Sequence, residues 1–156
     1  MVEAARPATS GDLARVAELS RQARDEVASE RGGAMFLARE ARDEAGDDLS
    51  RALEDGSACV LVGTLDDVVV GFASAGAERL RDGTTLAVIG DLYVEPEARG
   101  VGVGEALMDS LLAWASERGC QGVDATALPG DRATKNFFEG SGFTARLLVM
   151  HHRVRP

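Results

Sequence analysis

The stretch Tyr93-Val94-Glu95-Pro96-Glu97-Ala98-Arg99-Gly100-Val101-Gly102-Val103-Gly104 constrains this chain most. An alternating apolar segment ends at a proline. Three glycines in five positions follow, and then Leu107, Leu111, Leu112 and Trp114 recur at helical spacing. A strand, a glycine turn and an amphipathic helix in that order make an α/β unit. Glycines let a backbone pass close to a ligand, and successive amides at a helix N-terminus point at an anion. A pyrophosphate is the natural guest.

The flanking pattern extends the reading. Residues 2–7 predict a short strand closed by Pro7, and Thr9-Ser10-Gly11-Asp12 offers caps to a helix running to about Ala28. A second helical stretch is expected from Met35 to Leu53, interrupted at Gly46. From Ser57 the period becomes two. Strands are predicted over Ser57–Leu65, Val68–Leu80 and Thr84–Val94, joined by turns at Asp66-Asp67 and Asp82-Gly83. After the helix that ends near Arg118, residues 121–127 alternate as a strand and residues 132–140 form a short helix. Phe143–Arg155 is expected to finish the chain as a strand or strand pair. The order βααβββαβαββ gives an α/β (α+β) class: a mixed, mostly antiparallel sheet of six to seven strands with helices on both faces. At 156 residues, with no linker or repeat, residues 1–156 read as one domain.

Charge narrows the partners. The chain carries 17 basic and 26 acidic residues, a net charge of −9, which argues against nucleic acid or an anionic membrane. Two cysteines without a CxxC pair, and an N-terminus with no apolar or Arg-rich leader, point to the reducing cytoplasm. No metal site is expected, because His151 and His152 are sequence neighbours that a strand would send to opposite faces. Other phosphate motifs fail on their spelling. Glu105 stands where a dinucleotide fold needs its third glycine, and no Gly-Lys-Ser/Thr occurs.

The run Leu92–Met108 resembles the acetyl-CoA-binding motif of the GNAT N-acetyltransferases, R/Q-x-x-G-x-G/A after a strand ending in V-x-P. Phe137-Phe138-Glu139-Gly140-Ser141-Gly142-Phe143 is similar to that family's F-Y-E-x-x-G-F segment. The resemblance implies that the strands over residues 84–94 and 121–127 splay apart at their C-terminal ends. Pantetheine would lie in that opening against the backbone of Leu92, Tyr93 and Val94. The pyrophosphate would meet the amides of Gly100, Val101, Gly102, Val103 and Gly104, with Arg99 opening the motif. It also implies direct transfer from acetyl-CoA to the primary amine of a small molecule or peptide, with a backbone N–H near Val94 holding the oxyanion.

Two departures from the family pattern bear on chemistry. Phe138 stands where the family often has the tyrosine that protonates the leaving thiolate. Asp131 stands where it often has asparagine, and reads more as an N-cap than as a pantetheine ligand. Asp91, three residues before Val94, is the candidate base, and Tyr93 the candidate replacement acid. Asp124 and Thr126 are placed on one strand face at the acceptor site. Lys135 and Arg132 are the cations within reach of a CoA phosphate, and Cys120 reads as a buried thiol. A non-catalytic acyl-CoA-binding domain of the same fold is the alternative function. Leu147–Val154 is apolar enough for edge pairing into a homodimer.

Overall fold

The computed structural model describes residues 1–40 and 47–156. Five strands form one sheet in the order β1-β2-β3-β4-β5: Glu3–Pro7, Ala58–Leu65, Val68–Arg79, Thr85–Val94 and Gly122–Asp124. The first four are antiparallel neighbours, and β5 runs parallel to β4. The β2–β3 turn follows from Asp66 and Asp67, which both adopt positive φ (49° and 67°), the geometry that suits a right-twisted two-residue hairpin.

The helices cover both faces, as expected. On one face α1 (Leu13–Ala28) and α3 (Asp47–Asp55) bury Val16, Leu19, Leu49 and Ala52 against Val60, Val62 and Phe72. On the other, α4 (Val103–Glu117) packs Val103, Leu107, Met108 and Leu111 onto Leu61, Ala73, Ala75 and Ile89. Helix α5 (Arg132–Gly140) adds Phe138 to that second core. The short α2 (Gly33–Arg39) follows α1.

Before α1, Asp12 accepts from the backbone N–H of Thr9 at 2.8 Å and from Arg6 at 2.7 Å. These bonds satisfy the chain where the sequence predicted caps.

Three expectations need correction. The six to seven strands are five among the described residues, because Phe143–Arg155 forms no strand. Leu147, Leu148, Val149 and Met150 are 68–89% exposed. An apolar run makes a strand only where an edge supplies hydrogen-bond partners, and none of the described residues does so for that segment. The strand expected over 121–127 stops at Asp124, since its pairing with β4 ends at Val88↔Asp124, two residues before a bulge in β4. The stretch expected from Met35 to Leu53 with an interruption at Gly46 falls into α2 and α3, but its first helix already ends at Arg39, and position 46 lies outside the described residues.

Candidate functional site

The bulge sets the site. Ser74 pairs with Asp91 and Ala75 with Ile89, which leaves Gly90 as the extra residue of β4. A bulge bends its strand and increases the local twist. Past Val88, residues 89–94 of β4 have no parallel neighbour among the described residues, so β4 and β5, paired over Leu86–Val88, open beyond that point.

The backbone that faces this opening follows from the ladder. Glu95 donates to the carbonyl of Val70 at 2.9 Å. Bonding alternates along an antiparallel strand, so Tyr93 turns its N–H and C=O toward Phe72, its register partner. A Cβ built on Gly71 would lie 2.6 Å from the Tyr93 carbonyl oxygen, consistent with that direction. Leu92 and Val94 therefore turn their backbone groups away from β3, toward the opening. Of the three residues the sequence reading grouped, two face the gap with their main chain and Tyr93 does not.

At the mouth lies the start of α4. Gly100 and Gly102 have φ of +82° and +102°, conformations that other residues adopt only at a cost. A Cβ on Gly100 would meet nothing within 4 Å, whereas one on Gly102 would sit 3.1 Å from Glu3 Cγ. Gly104 is different again, since its Cβ would press on the Phe137 ring at 3.3 Å. Gly100 thus borders open space, while Gly102 and Gly104 are also packing positions. The first amides of α4 have no intrahelical acceptor, and a helix N-terminus of this kind is a cradle that suits an anion.

Arg99 does not point into that cradle. Its Nε donates to the Val94 carbonyl at 2.7 Å, its terminal nitrogen meets Glu26 of α1 at 2.8 Å, and the guanidinium lies 5.4 Å from the Tyr93 ring centre. Nor does Lys135, which is exposed and pairs with Glu139 one helical turn on. Asp131 is an N-cap, accepting from the Thr134 amide at 3.0 Å and its hydroxyl at 2.6 Å.

A cavity of about 570 Å³ runs from the opening to the inner faces of α1 and α2. Asp91, Leu92 and Tyr93 of β4 form its floor, Ala23, Arg24 and Val27 of α1 one wall, and Phe36 and Leu37 of α2 its far end. Thr126, Asp131 and Phe138 line the side toward β5 and α5. Asp124 is turned elsewhere, accepting from Arg146 Nε at 2.9 Å, and this ion pair holds its carboxyl below the usual range.

The Tyr93 hydroxyl donates to Gln22 Oε1 at 3.2 Å, on the α1 face. Burial first, and the nearby Glu26 carboxylate second, push its pKa up to about 12. Phe138 is 8% exposed, its ring 5.9 Å from Phe137 and 5.4 Å from Phe143. Cys120 is half-buried and free, rather than buried as expected. Cys59 is the buried thiol, raised by burial to about 11. Among the described residues, no group of three His, Cys, Asp or Glu side chains is placed to hold a metal ion.

Sequence reasoning missed Ser74, whose hydroxyl donates to Asp91 Oδ2 at 2.5 Å and which is fully buried. The available signal was a lone polar residue in the run Val68–Ala77. It also missed Gln22 and Glu26, which look like ordinary solvated positions of an amphipathic helix.

Comparisons with known proteins agree on one family. The model of the acetyltransferase (GNAT) family matches residues 20–143. An aminoglycoside N(6')-acetyltransferase type 1 of Stenotrophomonas maltophilia is 29% identical over 116 residues, 69% of this chain and 74% of that one. The structure of AAC(6')-Iy in complex with the bisubstrate analogue CoA-S-monomethyl-acetylneamine superposes with a TM-score of 0.77 at 18% identity, covering all of both chains. The aminoglycoside acetyltransferase meta-AAC0020 from an uncultured soil metagenomic sample, in complex with sisomicin, gives 0.70 at 21% identity over 99% of this chain and 96% of that one. At these identities the structural likeness is one of fold.

Proposed function

Since the chain belongs to the acetyltransferase (GNAT) family, we propose that it moves an acetyl group from acetyl-CoA to a primary amine of a small molecule by direct attack on the thioester. One observation carries this reading. The opening between β4 and β5 has the outward backbone of Leu92 and Val94 on one side and the free amides of α4 at its mouth. That combination suits a cosubstrate with an amide-bearing arm and a pyrophosphate. Pantetheine would pair with the main chain of Leu92 and run past Val94, and the pyrophosphate would rest on the amides from Gly100 to Gly104. The charge of Arg99 is spent on Val94 and Glu26.

The acceptor enters from the α1–α2 side of the cavity. Its neutral nitrogen attacks the thioester carbonyl carbon, and the Val94 N–H receives the developing oxyanion. The C–S bond then breaks and CoA leaves as a thiolate. Asp91 takes the proton released by the amine, directly or through water. The thiolate is finally protonated from solvent, because Phe138 cannot donate and thiols ionise near pH 8.5. Tyr93 serves as an anchor between β4 and α1, its hydroxyl already committed to Gln22 and held in its neutral form.

The acceptor panel that tests this includes aminoglycosides, after the named activity of the Stenotrophomonas relative, alongside simple amines and peptides. Thiol release from acetyl-CoA that depends on an added amine is the expected result. Acetyl-CoA binding without transfer to any amine would favour the second reading, a non-catalytic acyl-CoA-binding domain, which Phe138 supports by lacking the hydroxyl. The assembly we propose is a homodimer, because β5 ends the sheet with a free edge and Leu147–Met150 leaves its apolar side chains in solvent. Free Cys59 and Cys120 suit a reducing compartment, the cytoplasm.

A further inference from the structure

Ser74 is a buried hydroxyl in the middle of β3, the one polar side chain between Val68 and Ala77 of that strand. A buried polar group in such a place costs stability unless it is paired. Its partner is the Asp91 carboxylate directly across the ladder, at 2.5 Å.

That pairing depends on the bulge. The register over Ala75–Arg79 (Ala75↔Ile89, Gly76↔Val88), if continued, would set Ser74 opposite Gly90. A one-residue shift exchanges the two faces of a strand. The extra residue at Gly90 therefore does two things at once. It places Asp91 opposite Ser74, and it turns Asp91, with Tyr93 two residues on, toward α1 and the cavity. Only Oδ2 of the carboxylate is engaged by a described side chain, which leaves Oδ1 for a group in the cavity. The other charged groups that line this cavity are Arg24 of α1, Glu40 after α2, Glu78 of β3 and Asp131 at the start of α5.

We propose that Ser74 is the positioning residue of the acetyl-transfer site, fixing the Asp91 carboxylate by a hydrogen bond to Oδ2 so that Oδ1 meets the acceptor nitrogen. The inference rests on the reading of Asp91 as proton acceptor. An ionised carboxylate with one oxygen held by a buried donor cannot rotate freely about its terminal bond, so the free lone pair keeps one direction. Placement of this kind acts on the chemical step and not on uniform binding.

The test is single-turnover transfer from saturating acetyl-CoA to an accepted amine, in Ser74→Ala, Asp91→Ala and the double variant. Ser74→Ala should lower the rate about tenfold, with acceptor KM and acetyl-CoA affinity within twofold of the parent. Ser74→Thr, which keeps the hydroxyl, should recover most of the rate. In the Asp91→Ala background the Ser74→Ala change should have no further effect. An unchanged rate in Ser74→Ala, or an equal loss in both backgrounds, overturns the proposal. A parental rate in Asp91→Ala overturns the reading of Asp91 itself, which separates the two failures. If the alanine variant does not fold, Ser74→Cys fills nearly the same volume with a weaker donor. It should then show an intermediate rate at unchanged KM, and a parental rate there overturns the proposal.

Discussion

Arg99 donates from Nε to the carbonyl of Val94, five residues before it, at 2.7 Å. The peptide between Val94 and Glu95 is thereby held at both ends, since the Glu95 amide donates to Val70. Glu95 in turn pairs with Arg15 of α1, and Gln22 reaches its other oxygen at 3.5 Å. The end of β4, whose Val94 amide we assign to the oxyanion, is clasped to the helix that walls the acceptor cavity. In this structure the motif's arginine is part of that clasp.

Arg99→Gln should therefore leave CoA affinity within about threefold of the parent, with an unchanged dependence on salt, because no direct charge contact to the cosubstrate is lost. The transfer rate should fall several-fold as the Val94 peptide loosens. Calorimetry at low and high ionic strength checks the first part. Binding at least tenfold weaker, with the deficit largest at low salt, would return the guanidinium to the pyrophosphate.

The loop glycines should separate by function. Gly100→Ala carries a left-handed penalty of about 1–2 kcal/mol, with no steric contact to add to it. Gly102→Val carries a larger penalty, because a β-branched residue tolerates positive φ less well than alanine, and it also drives Cβ toward Glu3. The Gly102 variant should lose more thermal stability than the Gly100 variant. Part of that excess should return in the Gly102→Val/Glu3→Ala pair. Scanning calorimetry of the three proteins measures it, and equal melting temperatures for the single variants would deny the contact with β1.

The elements that were legible in the sequence carry strong local signals. The Asp66-Asp67 turn, the caps before α1 and the glycine turn into α4 each appear where the residues require them. The family's loop was readable for the same reason, since it is one continuous stretch. What was hidden is tertiary. A lone glycine within a strand pattern hints at a bulge, but only the pairing with β3 shows that Gly90 is one and which face Asp91 takes. Arg99 looked like a phosphate ligand because its partners Glu26 and Val94 meet only after α1 packs on the sheet. The apolar run in Leu147–Val154 reads as a strand from its composition, but composition alone supplies no hydrogen-bond partner.

Acid should weaken the start of α1. The hydrogen bond from Arg6 foremost, with those from Thr9, holds the Asp12 carboxyl down to about 2 against an ordinary 3.8. A depressed carboxyl contributes its full stabilisation above the unfolded value and loses it as pH falls through the folded one. The contribution is complete above about pH 5 and should vanish progressively between pH 4 and pH 2. Asp12→Ala should cost about 0.5–2 kcal/mol at neutral pH, and the gap to the parent should close toward pH 2. Urea melts at pH 7, 4 and 2.5 read this directly, and a gap independent of pH would remove the carboxylate charge from the cap.

Restoring the family's hydroxyl is the last test, and the position of Phe138 sets its size. The ring is nearly buried, leaning on Phe137 and Phe143, yet it also borders the cavity between Asp131 and the opening. A hydroxyl added by Phe138→Tyr would emerge from an apolar cluster with no polar group built to orient it. Correctly placed general acids contribute roughly 10²–10⁴-fold, so a poorly held one should give about threefold to tenfold in single-turnover transfer. The variant should be slightly less stable than the parent, because a hydroxyl beside two phenylalanine rings is poorly solvated. Tyr93→Phe, measured alongside, should keep the transfer rate within about threefold, since its hydroxyl faces Gln22 and its raised pKa makes it a reluctant donor to a thiolate. A collapse in Tyr93→Phe with no gain in Phe138→Tyr would move the acid to residue 93. A gain in Phe138→Tyr with Tyr93→Phe unharmed identifies an enzyme that works without a protein acid and improves when given one.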